Sequence, residues 1–131
     1  MIVDLEKKET KGTFDLPGGG KVHLRLRSEA DEAEIKAACV KNIVEYPLLD
    51  GKYQRFETEK TDYDLYFKMG YEKNIVGWDD VFDKNKIAVP VTSENKVLMM
   101  KVVPAFAEAV VKGLSVLKEQ DKARSEVLEK N

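Results

Sequence analysis

The feature that most constrains the fold of this chain is a pair of alternating polar and apolar runs in residues 13–27, separated by Pro17-Gly18-Gly19-Gly20. Alternation with a period of two is typical of a β-strand that buries one side and exposes the other. The apolar side would carry Phe14, Leu16, Val22, Leu24 and Leu26, and the polar side His23, Arg25 and Arg27. Glycine accepts the positive φ values that a tight turn requires. The sequence therefore predicts an N-terminal β-hairpin with one solvent-facing side.

A first helix is predicted directly after the hairpin. Ser28, with Asp31 three residues later, has the spacing of a capping box. Apolar residues then recur at helical spacing, namely Ile35, Cys39, Ile43 and Tyr46. Pro47 would end this helix, because proline disfavours the α conformation in the residue before it. The residues that follow are predicted to form a turn at Asp50-Gly51 and a short strand over residues 52–57.

A second helix is predicted from the repeat of the capping spacing at Thr61 and Asp64. Its apolar side would carry Phe67, Tyr71, Ile75 and Trp78. Gly77 would end it, since glycine is the usual residue just after a helix. Beyond it, residues 83–86 are predicted as a turn and residues 87–91 as an extended segment.

Two further helices complete the predicted fold, one from Ser93 to Met100 and a last one that begins at Pro104. The last helix would bury Phe106, Val110, Leu114 and Leu117. The fold class is therefore α+β, mostly helical, with an N-terminal β-hairpin followed by about four helices. Residues 1–131 are predicted to form a single domain, with residues 1–11 as a frayed terminus and residues 118–131 as a polar helical tail.

Composition excludes several classes of function. Lys and Arg total 22 against 24 Asp and Glu, a net charge of -2, so the excess of cations that drives nucleic-acid binding is missing. One cysteine cannot form an internal disulfide, and one histidine cannot build a histidine-based metal site. No apolar run reaches the roughly 20 residues that a membrane-spanning helix needs. We expect neither a nucleic acid nor a membrane as partner.

No motif of this sequence predicts catalysis or a bound cofactor. Gly18-Gly19-Gly20-Lys21 lacks the Ser or Thr and the following helix of a phosphate loop, which favours a hairpin turn. Asp83, Asn85 and Glu94 match three positions of a calcium loop, but Ala88 stands where the loop needs glycine.

Side chains that could act in catalysis are also placed unfavourably. Cys39 falls on the predicted buried stripe and His23 on the exposed side of a strand, so a Cys–His pair is not expected. Neighbouring acids such as Asp79 and Asp80 are expected by chance in a chain with 24 acids. The sequence therefore favours a protein that is not an enzyme, with no catalytic, cofactor-binding or metal-binding residues.

Aromatic residues crowd the middle of the chain. Eight lie between residues 53 and 82: Tyr53, Phe56, Tyr63, Tyr66, Phe67, Tyr71, Trp78 and Phe82. They could form a dense aromatic core or a core that is partly open as a protein-binding groove. We favour the core for most of them and expect some exposed aromatic surface, because Tyr63 and Tyr66 cannot both face the Phe67 side of a helix.

Residues 75–95, IVGWDDVFDKNKIAVPVTSEN, carry a resemblance to a known family. They resemble the segment (I/V)xGWxGVxDxxGxPVPxxxEN of the tail assembly chaperones of long-tailed, siphovirus-type bacteriophages and prophages. The hairpin segment FDLPGGGKVHLRLRS is also similar to that group. Two departures stand out: Asp80 and Lys86 occupy positions where the family frequently has glycine.

The resemblance implies a function in assembly. Such chaperones bind the long, helical tape measure protein in the cytoplasm of the bacterial host and keep it soluble until tail tube protein polymerises around it. It also implies a homo-oligomer, with many copies on one partner. Our candidate partner-binding residues are Tyr71, Trp78, Phe82, Phe106, Val110, Leu114 and Leu117. The alternatives are a structural virion component, such as a head–tail joining or tail protein, and a small enzyme.

Overall fold

The computed structural model describes residues 9–130, with side chains through Val127. The strands are β1 (Lys11–Asp15), β2 (Lys21–Arg25), β3 (Val40–Glu45), β4 (Leu48–Leu49), β5 (Lys52–Tyr53), β6 (Phe56–Thr61) and β7 (Ile75–Asp79). The helices are α1 (Glu29–Cys39), α2 (Tyr63–Asn74), α3 (Ser93–Val102) and α4 (Pro104–Lys130). The α+β class, the N-terminal hairpin and the four helices are confirmed.

The N-terminal hairpin forms two strands of a three-stranded antiparallel sheet in the order β1-β2-β7. Its turn is closed by hydrogen bonds from Leu16 N to Gly20 O (3.0 Å) and from Gly19 N to Leu16 O (3.2 Å). Gly18, Gly19 and Gly20 all have positive φ, as the turn prediction requires. A strand follows the glycines, so they form a hairpin turn and not a phosphate loop.

The main core lies between this sheet and the C-terminal helix. Its buried residues are Val22, Leu24, Ile75, Trp78, Phe106, Val110 and Leu117. The predicted apolar sides of the hairpin and of the last helix are thus confirmed, with Leu114 packed at the margin. At Gly113 the helix approaches the sheet closely, because a Cβ there would lie 2.7 Å from Leu24 Cδ1 and 2.9 Å from Phe14 Cδ2.

A polar cluster joins α1, β2 and α2. The predicted capping box is present: the Asp31 backbone N–H donates to Ser28 Oγ, and Asp31 Oδ2 accepts from Ser28 N (2.9 Å). The same carboxylate accepts from Arg25 Nη1 at 3.0 Å, and its Oδ1 lies 3.7 Å from Lys73 Nζ. The Ser28 N–H above all, together with Arg25, lowers the pKa of Asp31 to about 2, although its burial opposes the shift.

The first predicted helix is wrong beyond Cys39. Residues 40–45 form β3, and Val40 leaves the helix with φ -102 and ψ 123. Val40, Ile43 and Val44 are β-branched, which restricts their χ1 in a helix and suits a strand. The partner strand β6 then takes up the backbone hydrogen bonds of this segment.

The second predicted helix is wrong at both ends. Its cap is Asp62, whose side chain accepts from Leu65 N at 3.2 Å, and not Thr61. The helix ends at Asn74, and Ile75, Gly77 and Trp78 belong to β7, which pairs with the open edge of β2. Val22 lies opposite Trp78, so the strand buries the indole that the prediction placed on a helix.

The last two helices need smaller corrections. Thr92 and not Ser93 caps α3, since Asn95 N donates to Thr92 Oγ1 (3.1 Å), and α3 continues to Val102. The polar tail continues α4 as predicted. It is tied to Thr10, the residue before β1, which donates to Asp121 Oδ1 (2.9 Å) and accepts from Arg124 Nη2 (3.0 Å). Of the predicted frayed terminus, residues 1–8 lie outside the described residues, while Thr10 is hydrogen-bonded and Lys11 begins β1.

Candidate partner-binding surface

Residues 40–61 form a single two-stranded extension, here called the β-arm, inserted between α1 and α2. The strand pair at the base, β3–β6, and the strand pair at the tip, β4–β5, share one register. Moving four residues along each strand from the Glu45–Phe56 pair towards the tip reaches the Leu49–Lys52 pair. At the base, Asp62 N donates to Cys39 O at 2.8 Å. The β-arm is therefore one continuous hairpin that leaves the domain where α1 ends and returns where α2 begins.

The tip of the β-arm is an Asp-Gly turn. Asp50 and Gly51 have φ values of 50 and 76, and positive φ at both central residues defines the type I′ turn that two-residue hairpins prefer. Pro47 explains why the ladder is interrupted between β3 and β4, because proline has no N–H to donate across the strands. Its carbonyl still accepts from Gln54 N at 3.1 Å.

The β-arm exposes a large apolar surface. None of its residues is buried, and its exposed large hydrophobic side chains are Val44, Tyr46, Leu48, Leu49, Tyr53 and Phe56. Tyr53, at 75% exposure, lies opposite Leu48 near the tip. Alternation along the register puts Val44, Tyr46 and Leu48 on one face and Leu49 and Phe56 on the other. Both faces of the β-arm therefore carry exposed apolar side chains, which makes it a candidate partner-binding surface.

An aromatic groove continues this surface at the base of the β-arm. A cavity of about 440 Å³ is lined by Glu32, Ala33, Lys36, Val40, Thr61, Tyr63 and Tyr66. The rings of Tyr66 and Phe67 meet edge to face at 5.7 Å, and Phe67 stacks on Tyr71 at 6.0 Å. Arg27 lies over the Tyr66 ring, 5.7 Å from its centroid. Tyr63 and Phe67 are exposed, so apolar surface extends from the β-arm onto α2.

Most of the sequence-predicted partner residues lie in the interior. Four of them, Trp78, Phe106, Val110 and Leu117, are buried core residues, and Tyr71 and Leu114 are partly buried against that core. Phe82, at 58% exposure, is the one of the seven that is open to a partner. The other six lie on apolar stripes of the sequence, and such periodicity is common to a buried face and a binding face.

The preference for an aromatic core is wrong for most of the eight clustered aromatics. Trp78 is buried, and its ring meets Phe106 edge to face at 5.6 Å. Tyr66 and Tyr71 are partly buried. The other five are exposed: Tyr53, Phe56, Tyr63, Phe67 and Phe82. The expectation of exposed aromatic surface is confirmed, and three of these five lie on the β-arm or at its return into α2.

The segment that resembles the phage family forms β7 and a tight loop over the core. Trp78 Nε1 donates to Val89 O (2.8 Å), and Asn95 Nδ2 donates to Pro90 O (2.9 Å). Asp83 Oδ1 accepts from Asn85 N and Ile87 N, which forms the predicted turn. Residues 87–91, predicted as an extended segment, form no strand and contain one isolated bridge, between Phe82 and Ala88. The motif residues therefore fix the shape of this loop.

Cys39 and His23 lie in different environments. Cys39 is buried with its Sγ 4.0 Å from Met69 Sδ. His23 bridges the sheet, with Nδ1 2.8 Å from Thr13 Oγ1 and Nε2 2.7 Å from Asp79 Oδ2. A hydroxyl, an imidazole and a carboxylate in series can form a nucleophilic triad, but a triad acts beside an oxyanion-stabilising pocket. Here Thr13 stands on the exposed side of β1, and the three side chains cross-link β1, β2 and β7.

Within residues 9–130, no group of three or more His, Cys, Asp or Glu side chains could hold a metal ion, and no helix is long and apolar enough to cross a membrane. No family model, curated protein sequence or solved structure matches this chain.

Sequence reasoning missed the first strand of the β-arm, β3 and β4, whereas the strand predicted over residues 52–57 overlaps β5 and β6. A local signal for the whole hairpin exists. Asp-Gly flanked by alternating apolar residues is a strong hairpin signal, and Val44, Tyr46 and Leu48 alternate directly before Asp50-Gly51. The turn was predicted correctly. Sequence reasoning assigned the preceding strand to a helix because Ile35, Cys39, Ile43 and Tyr46 recur at helical spacing, which competes with the alternation.

Proposed function

We propose that this chain is a tail assembly chaperone of a long-tailed phage or prophage, a non-enzymatic protein that binds the tape measure protein and keeps it soluble. The observation that carries the proposal is the β-arm. A small domain with its own core presents apolar side chains on both faces of an extended hairpin, among exposed charges. That arrangement suits a protein that covers the apolar stripes of an aggregation-prone helical partner.

The backbone at two of the departures from the family pattern, Asp80 and Lys86, supports the same proposal. Asp80 and Lys86 have φ values of 55 and 61, in the left-handed region that glycine adopts without penalty. Both residues therefore occupy positions whose backbone conformation favours glycine, and both belong to the loop that the motif residues fix. A glycine-containing relative could adopt this loop shape with less strain.

Burial of the β-arm would supply the binding energy. Full burial of a large apolar side chain contributes about 1.5–3 kcal/mol, of which association and side-chain ordering consume a part. Several such side chains suffice for a reversible complex that tail tube protein can displace during polymerisation. The proposal implies that the chain acts in the host cytoplasm, and it requires no cofactor, metal or catalytic residue.

Co-expression of a tape measure fragment with this chain tests the proposal. We expect the wild-type chain to raise the soluble fraction of the fragment and to co-purify with it. Leu48→Ser/Tyr53→Ser removes the apolar pair near the tip of the β-arm and should abolish both effects. Its matched control is Val102→Ser/Val111→Ser, which removes two exposed apolar side chains on α3 and α4 and should retain both.

Three results would contradict the proposal. The first is a fragment that stays insoluble with the wild-type chain in stoichiometric excess. The second is equal rescue by the Leu48→Ser/Tyr53→Ser variant. The third is detection of the chain in purified particles, which would favour a structural virion component.

A further inference from the structure

The outer edge of β3 carries backbone groups that no other described strand takes up. The hydrogen bonds Gln54 N to Pro47 O and Asp62 N to Cys39 O mark positions where the two strands of the β-arm bond to each other. In an antiparallel pair such positions alternate with positions that point away. Asn42 and Val44 fall on the outward-pointing positions. The sheet that contains β3 has two strands in the described part of the chain, so this edge is open.

The side chains of β3 are complementary to a second copy of the same strand. Outward-pointing residues must pair with outward-pointing residues, so an antiparallel β3–β3 pair can be centred on Ile43. In that register Lys41 of each copy faces Glu45 of the other, Ile43 faces Ile43, and Asn42 bonds to Val44 of the second copy. The two-fold symmetry repeats the Lys–Glu pair on both sides of the isoleucines.

Within one chain these charges lack a favourable neighbour. Lys41 lies opposite Lys60, and Glu45 lies opposite Phe56. Neither Lys41 nor Glu45 forms an ion pair with any described residue. Like charges directly opposite each other destabilise a strand pair, whereas opposite charges stabilise it. A second copy would therefore bring Glu45 beside Lys41 where the single chain has only Lys60.

The other edge of the β-arm does not have this property. Symmetric pairing of two β6 strands centred on Thr58 puts Glu57 opposite Glu59. Centring on either glutamate puts that residue opposite itself. These three registers bring carboxylates together, which disfavours pairing. A register centred on Phe56 would put Arg55 opposite Glu57, but these two side chains already form an ion pair within one chain, with Arg55 Nη2 2.8 Å from Glu57 Oε1. Of the two edges, β3 is therefore the one whose complementary charges have no partner within the chain.

We propose that two copies of this chain associate through β3, which extends each β-arm into a four-stranded sheet in the order β6-β3-β3-β6. The apolar faces of both arms remain open and become continuous. This interface does not rest on the proposed function, because it requires no other protein.

Sedimentation velocity of the purified full chain at about 0.15 M salt tests the interface. We expect a concentration-dependent dimer for the wild-type chain. Lys41→Glu places Glu opposite Glu45 twice in the dimer and should raise its dissociation constant by about tenfold or more. Inside one β-arm the same change puts Glu opposite Lys60, which favours the folded arm. A lost dimer is therefore not explained by an unfolded arm.

The double variant Lys41→Glu/Glu45→Lys exchanges the two charges and should restore the dimer. Glu59→Lys, on the β6 edge, is the matched control and should leave the dissociation constant unchanged. A wild-type chain that stays monomeric at several hundred micromolar overturns the proposal. So does a dimer that Lys41→Glu leaves intact, or one that the charge exchange does not restore.

Discussion

Among the described residues, three other than glycine have positive φ, and two of them, Asp80 and Lys86, lie in the loop after β7. For an L-residue the left-handed conformation costs roughly 1–2 kcal/mol, against a cost of up to about 1 kcal/mol for the extra freedom of glycine when unfolded. We expect Lys86→Gly to raise the free energy of unfolding by about 0.5–1 kcal/mol, measured by urea denaturation. Lys84→Gly, in the same turn but without positive φ, should lower it. Equal effects of the two changes would contradict this explanation.

Gly113 is a second residue whose role depends on space. Alanine is the better helix former by about 1 kcal/mol, so Gly113→Ala would stabilise an exposed helix. Here the added Cβ would lie under 3 Å from Leu24 and Phe14, both in the packed layer under α4. We expect a net loss of about 1–2 kcal/mol in the free energy of unfolding. Ser115→Ala, on the exposed side of the same helix, should change the free energy of unfolding by no more than about 0.5 kcal/mol. If Gly113→Ala instead raised the free energy of unfolding, the helix would be able to move away from the sheet.

At the scale of elements, Asp31 connects the start of α1 to β2 and α2. Its pKa is lowered from 3.8 to about 2, so the folded state binds this proton less readily than the unfolded state. The resulting stabilisation is complete above about pH 4 and is lost as the pH falls towards 2. We expect Asp31→Asn to lower the free energy of unfolding by about 1–2 kcal/mol at pH 7. The difference from the wild type should shrink to near zero by pH 2.

Glu29 provides the control for this prediction. It is an exposed acid in the same first turn of α1. Glu29→Gln should change the free energy of unfolding by a few tenths of a kcal/mol, through the helix dipole alone. A difference between Asp31→Asn and the wild type that stays constant from pH 7 to pH 2 would contradict the assigned cause.

At the scale of the whole molecule, the β-arm and the core are separate parts. No residue of the β-arm is buried. Cys39 and Asp62 form a hydrogen-bonded pair, and such pairs recur at every second position of an antiparallel ladder, so Lys41 and Lys60 also form one. Residues 42–59 can therefore be replaced by Asn-Gly, which closes a two-residue turn on that pair. We expect this variant to keep the free energy of unfolding within about 1 kcal/mol of the wild type. A variant that does not fold would show that the core depends on the β-arm.

The same variant separates stability from binding. It should lose both the rescue of a tape measure fragment and the β3-mediated dimer. We expect the Lys41→Glu variant to lose the dimer but to keep the folded β-arm. If this variant still rescues the fragment, partner binding uses the faces of the β-arm and not its edge.

The sequence by itself determined the elements whose signals are local. The N-terminal hairpin follows from strict alternation around three glycines, the start of α1 from the Ser28–Asp31 capping box, and α4 from Pro104 in its first turn and an apolar stripe at helical spacing. These patterns need no distant partner to be decisive.

Only the tertiary structure decided residues 40–46 and 75–79. Both segments contain β-branched residues, which suit a strand, yet in both the apolar stripe of the preceding helix continues at helical spacing. Val40–Glu45 became a strand because β6 returned beside it, and Ile75–Asp79 because β2 offered an open edge. The same contacts placed Trp78 in the core and Tyr53 in solvent, since a partner strand fixes which face is covered and a one-dimensional pattern does not.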